Sequence, residues 1–432
     1  MTSRSVAIIA TLDTKEEEAR FLKDWLQARG CGARLVDVGT AGDPRSPLTA
    51  PDVPRDRVVT AAGLSLPALA AFRRDEAMAA MGRGAGVILQ AWLREGALSG
   101  VIGIGGHQGT AIGSLAMRTL PSGLPRVLVS TVASGNVRPF LGYSDIVIVS
   151  SVGDLLGGPN RVTRPILTRA AAMLMGMIEA GGPSAAPENE AALAGPAVAV
   201  TALGNTHAAV LRVMHHLCQR GYEVVPFHAS GAGGSAMESL VQDGAFEAVI
   251  DLTPHELLGE VLGDDIYAPI RPGRLTAAGA AGIPQVVAPG GLDYFVFGAE
   301  ETVPHRYRGR PTHHHNPYNT NVRATAGELH RVGEALAERL NGARGPVAFF
   351  YPLKGWSQIG REGGPLWDPQ ANDALRAALC RALRRDIRYI EVDARINDSQ
   401  FADGVAAMAW EFLAARGLAV RSRTQAKGSG PC

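Results

Sequence analysis

The 432-residue sequence is poor in cysteine, in net charge and in long apolar runs. Its four cysteines form no CxxC pair, which argues against both a disulfide framework and a thiolate zinc site. A formal net charge of +1 gives no broad basic field for nucleic acid or an anionic membrane. No apolar run approaches a membrane span, and no signal peptide precedes the first strand. These absences predict a cytoplasmic globular protein with no nucleic-acid or membrane partner.

Several catalytic motifs are also missing. The sequence has no GxxxxGK[ST] loop, so a P-loop nucleotide site is excluded. It has neither the GxSxG nucleophile motif nor the HExxH zinc motif, and no residue set is assigned to a resident metal. Any chemistry must therefore come from less familiar loops.

What the sequence does have is a regular alternation of short apolar strands and helical segments. The strands are apolar on both faces, which is typical of a parallel sheet covered by helices on both sides. The alternation restarts after a stretch rich in glycine, proline and alanine. The sequence predicts an α/β fold with two Rossmann-like three-layer domains and mainly parallel sheets. The predicted bounds are residues 1–182, a linker 183–196, a second domain 197–420 and a flexible tail 421–432.

The strongest local signal is the segment from Val101 to Thr110, VIGIGGHQGT. A buried strand runs into glycines, and a helix is predicted from Thr110 to Leu120. Glycines let the backbone approach a ligand, and a helix N-terminus offers free N–H groups to an anion. The segment therefore predicts a phosphate or other anion site, with a tight packed turn as the alternative.

Other polar loops are expected at the same edge of the first sheet, since ligands bind at the carboxyl ends of strands. The loop after the first strand contains Asp13, a candidate Mg²⁺ or ribose partner, and Lys15, a candidate phosphate partner. Small hydroxyl residues follow the fourth strand from Ser130 to Gly135. Asp154, after the fifth strand, is a candidate ligand for metal-bound water.

In the second half, FHASGAGGSAME (227–238) repeats the pattern of a strand, glycines and a helix start, and predicts a carboxylate or phosphate site. The polar connection 289–321 contains three adjacent histidines, whose alternating side chains disfavour a shared metal. Anion contact and a solvated loop remain alternatives there. Lys354 follows a strand and is a candidate acid, base or charge clamp.

Several of these motifs, in this order, resemble one family, the Tm-one-like ATP-binding family named for a plant tomato-mosaic-virus resistance protein. The resemblance spans nearly the whole chain and rests on ATLDTK (10–15), GGHQGT (105–110), STVASG (130–135), FHASGAGG (227–234), HNP (315–317), KGWS (354–357) and IND (396–398). At His107 and Gln108 the chain departs from the family's usual serine and glycine.

The resemblance implies two Rossmann-like domains, ATP with Mg²⁺ in the first domain, and a homodimer. Larger relatives carry a TIM-barrel-like domain, which for this chain would be a separate partner protein. ATP contact is assigned to Asp13, Thr14, Lys15, Gly105, Gly106, Gly109, Thr110, Thr131, Ser134 and Gly135.

The working hypothesis is an ATP·Mg²⁺-binding enzyme or enzyme component that acts on a small anionic metabolite in a cleft between two α/β domains. Metabolite contact is assigned to His228, Ser230, Gly233, Gly234, Glu238, His315, Asn316 and Arg323. Catalytic roles are assigned to Lys354 and Asp154. The sequence leaves open whether there is an ATP-dependent transferase or ligase activity. Two alternatives remain: a nucleotide-independent lyase or hydrolase of small organic acids, and a non-catalytic nucleotide-binding regulatory module.

Overall fold

The computed structural model describes residues 4–40, 50–181 and 196–418. The chain forms two compact units, residues 1–189 and 190–432. Residues 183–195 of the predicted linker and the whole predicted tail, 421–432, lie outside the described residues. Within the described ranges, no helix is both long and apolar enough to cross a membrane.

The first unit alternates strands and helices along its chain. Its elements are β1 (Ser5–Ala10), α1 (Leu12–Gln27), β2 (Gly32–Asp37), α2 (Arg55–Ala61), α3 (Leu66–Ala70), α4 (Arg74–Arg94), β3 (Gly100–Gly105), α5 (His107–Met117), β4 (Arg126–Ser130), α6 (Arg138–Leu141), β5 (Val147–Ser150) and α7 (Thr163–Glu179). The strands form one sheet in the order β2-β1-β3-β4-β5, with every pair parallel.

Both faces of this sheet are buried, because alternate residues along each strand enter two separate apolar clusters. Ala7 and Ile9 of β1 belong to a cluster with residues of α4 and α5. Val6 and Ile8 belong to a second cluster with residues of α1 and α7. The predicted helix–sheet–helix layering of an α/β fold is therefore confirmed.

The second unit repeats the alternation with more elements. They are β6 (Ala197–Ala202), α8 (His207–Cys218), β7 (Glu223–His228), α9 (Ala232–Gln242), β8 (Ala248–Asp251), α10 (Glu256–Leu262), α11 (Ala277–Ala281), β9 (Gln285–Val287), β10 (Tyr294–Phe297), β11 (Thr312–Asn316), β12 (Asn319–Arg323), α12 (Ala326–Asn341), β13 (Val347–Pro352), α13 (Pro369–Ala382), β14 (Arg388–Val392) and α14 (Ser399–Ala415).

Six of these strands form a parallel sheet in the order β14-β13-β9-β8-β6-β7. The other three form a small antiparallel sheet in the order β10-β12-β11. This small sheet lies in the polar connection for which the sequence predicted no strands. Phe295 and Phe297 of β10 are buried and belong to the main apolar cluster of the unit, so this connection is anchored to the core.

One element boundary changes the interpretation of the glycine segment. The predicted helix Thr110–Leu120 is in fact α5, which begins at His107 with Gly106 as its N-cap. The helix therefore starts inside the glycine segment, and His107 and Gln108 belong to its first turn.

Candidate functional site

Both parallel sheets share a reversal in strand order. In the first unit, β2 pairs with one side of β1 and β3 pairs with the other side. In the second unit, β7 and β8 flank β6 in the same way, so the reversals lie between β1 and β3 and between β6 and β8. At such a reversal, the loops after the two strands leave toward opposite faces and open a crevice at the carboxyl edge of the sheet. Each unit therefore has one preferred place for a ligand.

In the first unit, the glycines of the predicted anion loop divide into two kinds. A Cβ on Gly105 would lie 2.6 Å from Gly109 Cα, and a Cβ on Gly109 would lie 3.0 Å from Ile104 O. These two glycines allow the start of α5 to pack directly against β3. A Cβ on Gly106 would meet only Thr131 Oγ1, at 3.6 Å. Gly106 therefore borders open space at the crevice.

The first turn of α5 is available to an external anion. Helix geometry leaves the N–H groups of a first turn without intrahelical acceptors, and among the described residues none accepts from His107 N or Gln108 N. This turn is also bonded to the end of β4, since the buried Thr110 Oγ1 lies 2.7 Å from Ser130 Oγ. The arrangement presents N–H groups and the positive end of the α5 dipole to the crevice.

Two side chains join α5 to its neighbours at this edge. Gln108 Nε2 donates to Thr40 Oγ1 at 2.6 Å, and Arg74 donates to Gln108 Oε1 at 3.1 Å. Thr131 lies beside Gly106, whereas Ser134 and Gly135 are exposed farther along the turn after β4. The structure therefore brings Thr131 to Gly106 and leaves Ser134 and Gly135 at the rim.

On the other side of the crevice, Asp37 organises the start of α1. Its Oδ1 accepts hydrogen bonds from Leu12 N at 3.1 Å and Gly39 N at 3.0 Å. The absent Cβ of Gly39 would lie 3.2 Å from Asp37 Oδ1 and 3.5 Å from Asp13 Cγ, so two carboxylates face this glycine. Burial raises the pKa of Asp37, although both N–H donors oppose the shift. The sequence analysis singled out Asp13 but missed Asp37, a carboxylate ending an apolar strand.

Replacing Asp37 with asparagine is expected to raise the free energy of unfolding at pH 7. The amide oxygen can still accept both hydrogen bonds, and the cost of burying a charge disappears. Because the folded-state pKa of Asp37 is raised, its ionisation lowers stability as the pH rises through that pKa. Urea unfolding should therefore show that Asp37→Asn increases the free energy of unfolding more at pH 7 than at pH 4. A larger increase at pH 4 would contradict this expectation.

Lys15 connects α1 to the loop after β5. The helix departs from helical backbone angles at Lys15, where φ is −127° and ψ is 21°. Its buried ammonium donates to Leu155 O, and Gly158 N donates to Glu18 Oε1 at 3.0 Å. A lysine ammonium has three N–H donors, so Lys15 can still donate a hydrogen bond to an anionic oxygen while it is bonded to a neutral carbonyl. Asp154 lies in the same loop and is exposed, and Thr14 is exposed beside Asp13.

In the second unit, the corresponding glycine loop already holds an anion from within the protein. Glu256 Oε1 accepts from Gly231 N at 2.5 Å and from Gly234 N at 3.0 Å, at the start of α9. A Cβ on Gly234 would lie 1.7 Å from Glu256 Oε2, and one on Gly233 would lie 2.1 Å from His228 O. Gly233 and Gly234 therefore allow α9 to pack closely against Glu256 and the end of β7.

Glu256 belongs to a buried cluster around Arg274. The guanidinium pairs with Glu238 at 2.6 Å, with Asp251 at 2.9 Å and with Glu256 at 2.5 Å. Burial by itself lowers the pKa of Arg274, but the three carboxylates outweigh it and raise the pKa. Burial raises the pKa of Glu238, which also accepts from Leu275 N and Ala277 N. In the structure Glu238 therefore lies in this buried cluster.

The remaining assigned residues of the second unit are dispersed. Arg323 is buried and donates to Asp293 O and to Asn372 Oδ1. His315 and Asn316 are exposed near the tip of the β11–β12 hairpin. Lys354 is half-exposed and pairs with Asp393 at 3.0 Å. His228 Nδ1 and Ser230 Oγ lie 2.8 Å apart at the end of β7.

The fold and the crevice define an α/β protein with two doubly wound units. Sequence profiles described as the N-terminal and C-terminal domains of an uncharacterised protein family (UPF0261) match residues 4–182 and 195–413. The chain belongs to this family, which confirms the predicted resemblance.

Two relatives illustrate the family. A UPF0261 protein of Clostridium tetani is 38% identical over 406 residues, covering 94% of this chain and 98% of the relative. The ToMV resistance protein Tm-1(GCR237) of Solanum lycopersicum is 34% identical over 418 residues, covering 93% of this chain but 55% of the relative. The tomato protein therefore has a large additional region. Among solved structures, the esterase domain of a Rhodothermus marinus protein matches 50% of this chain and 84% of that domain, with 15% identity and a TM-score of 0.28.

Proposed function

We propose that the first unit binds ATP with Mg²⁺ at the crevice between β1 and β3. The observation that carries the proposal is the contrast between the two units. The N-terminus of α9 is neutralised by Glu256, whereas the first turn of α5 faces open space beside Gly106. An exposed helix N-terminus at a strand-order reversal is suited to a phosphate group.

The residues around Gly106 fit such a ligand. The N–H groups of His107 and Gln108 would donate to phosphate oxygens, with Thr131 beside them and the Lys15 ammonium supplying positive charge. Mg²⁺ is usually held by one or two carboxylates together with phosphate oxygens and water. Asp13, with Asp37 close behind it, would provide that carboxylate. When bound, Mg²⁺ would neutralise phosphate charge, and the chain's own residues would position the nucleotide.

Replacing Gly106 with alanine is expected to weaken ATP·Mg²⁺ binding about tenfold, since a methyl group would enter the space where the backbone approaches the phosphates. The fold should tolerate this change, because the added Cβ meets only Thr131 Oγ1 at 3.6 Å. Isothermal titration calorimetry would measure both proteins. Gly176→Ala, within α7 and with no atom within 4 Å of its added Cβ, is the matched control. Equal affinities for the two variants would contradict the proposed site.

Turnover is a separate question. ATP binding accompanied by release of phosphate or by group transfer would support an enzyme. Binding with no turnover in any partner mixture would favour a regulatory module. The same proposal includes a partner protein with a TIM-barrel-like domain, the domain that the family resemblance implies for larger relatives. The proposed homodimer is tested by sedimentation equilibrium.

A further inference from the structure

The carboxyl edge of the second parallel sheet has a different chemistry from that of the first. Its strand order reverses between β6 and β8, and these strands lead to α8 and α10 on opposite faces of the sheet. A ligand crevice is therefore expected here as well. The sequence predicted an anion at this position.

The structure argues against an anion at this edge. The α9 N-terminus donates to Glu256, so its positive end is already compensated. Behind it, one guanidinium faces three carboxylates, and all four groups are buried. Buried carboxylates are weakly screened by solvent, so the local field disfavours a second external anion.

Near the ends of β6 and β7, neutral hydrogen-bonding side chains and an aromatic ring lie close together. Tyr267 is half-buried, and its hydroxyl lies 3.3 Å from Asn319 Nδ2. The Tyr267 ring is 6.3 Å from the ring of His228, which in turn contacts Ser230 Oγ. Asn205, after β6, donates to the Tyr294 hydroxyl at 2.9 Å. Amides and hydroxyls can each donate and accept, which suits alcohol groups.

A buried imidazole lies directly behind this surface. The His255 ring is 5.7 Å from the ring of Tyr267 and 5.3 Å from that of Tyr294. His255 Nδ1 bonds to Gly291 O at 2.5 Å, whereas Nε2 has no hydrogen-bond partner among the described residues, although Asp265 Oδ2 is 3.3 Å away. The buried ring therefore lies between a backbone carbonyl and the Asp265 carboxylate, which places another buried acidic group behind this surface.

We propose that this edge binds a neutral, hydroxyl-rich small molecule of the sugar class. Asn205, Asn319, His228 and Ser230 would pair with hydroxyl groups, and the Tyr267 ring would contact an apolar face of the sugar ring. The buried carboxylates around Arg274 set the charge preference, because they disfavour an acidic sugar. The inference does not depend on nucleotide binding by the first unit, and its test is performed without ATP.

Three sugars with the same ring and different charges test the charge preference on the unmodified protein. Saturation-transfer NMR with D-glucose, D-glucuronate and D-glucosamine at millimolar concentration should show D-glucose bound at least threefold more tightly than D-glucuronate, the anionic analogue. Tighter or equal binding of D-glucuronate would contradict the proposal and support the anion site that the sequence predicted. Binding of D-glucosamine more than threefold tighter than that of D-glucose would indicate a cation site. Absence of transfer to all three sugars would also overturn the proposal.

Two variants test the location. Tyr267→Phe keeps the ring and removes the hydroxyl, and Asn319→Ala removes its hydrogen-bond partner. Each should weaken D-glucose binding threefold to tenfold with the melting temperature maintained. Tyr143→Phe, in the first unit, is the matched control and should leave binding unchanged. Unaltered D-glucose affinity in both Tyr267→Phe and Asn319→Ala would contradict the site.

Discussion

Replacing Arg274 with methionine is expected to lower the free energy of unfolding of the second unit by about 3–5 kcal/mol, the usual cost of breaking a buried ion pair from one side. The change leaves Glu238, Asp251 and Glu256 facing one another without a compensating charge. Methionine fills part of the volume, so the effect arises mainly from electrostatics. Urea unfolding read by hydrogen exchange in α9 and β8 would isolate the second unit.

The pH dependence of this variant gives a second measurement. Burial already raises the pKa of Glu238 in the folded protein, and the loss of Arg274, which lowers that pKa, would raise it further. A group of this kind favours the folded state at low pH and loses that contribution as the pH rises through its folded pKa. The deficit relative to the unmodified protein should therefore be smaller at pH 5 than at pH 7.

A matched control is available in the same unit. Arg388 pairs with Glu411 at 2.6 Å, but both side chains are about half exposed. Exposed pairs contribute roughly 0–1 kcal/mol, so Arg388→Met should have little effect. If Arg274→Met proved no more damaging than Arg388→Met, the buried cluster would not have the stabilising role that its geometry indicates.

Replacing Lys15 with methionine is expected to weaken ATP·Mg²⁺ binding roughly 10–100-fold, which corresponds to losing one charged hydrogen bond of about 1.5–3 kcal/mol. Lys15 is buried at the start of α1 and bonds only to a neutral carbonyl among the described residues. A phosphate oxygen would therefore be its strongest available partner. Calorimetric titration of the variant provides the affinity.

Lys23→Met serves as the control for this change. Lys23 lies on the same helix but pairs with Asp52 at 2.7 Å, away from the carboxyl edge. Its removal should leave nucleotide affinity unaltered. The melting temperature of Lys15→Met must also be measured, since the change removes the bond to Leu155 O. Unchanged affinity in a folded Lys15→Met protein would exclude Lys15 from the site.

The layered α/β architecture could be predicted from the sequence because burial on both faces of a parallel sheet produces unmistakable apolar runs. The residue at which α5 begins could not be predicted from the sequence. Glycine disfavours a helix interior, so the helix was predicted to begin after Gly109, yet close packing against β3 outweighs that preference. Only the structure separates the packing glycines, Gly105 and Gly109, from Gly106 at the crevice.

The second glycine loop shows a different limit of sequence reasoning. FHASGAGG has the composition of an anion loop, and the loop does hold an anion. That anion is the side chain of Glu256, more than twenty positions along the chain from Gly231 and Gly234. No local pattern identifies Glu256 or Arg274, because their pairing depends on how α10 and the following segment pack against α9. Tyr267 and Asn319 were missed for the same reason.

The most direct test of the central claim is hydrogen exchange of the unmodified protein with and without saturating ATP·Mg²⁺. We expect slower exchange in peptides that contain Lys15 and in those that span Gly106 to Thr110, with no change around His228 to Glu238. Protection at the second glycine loop, or no protection in the first unit at millimolar ATP·Mg²⁺, would contradict it.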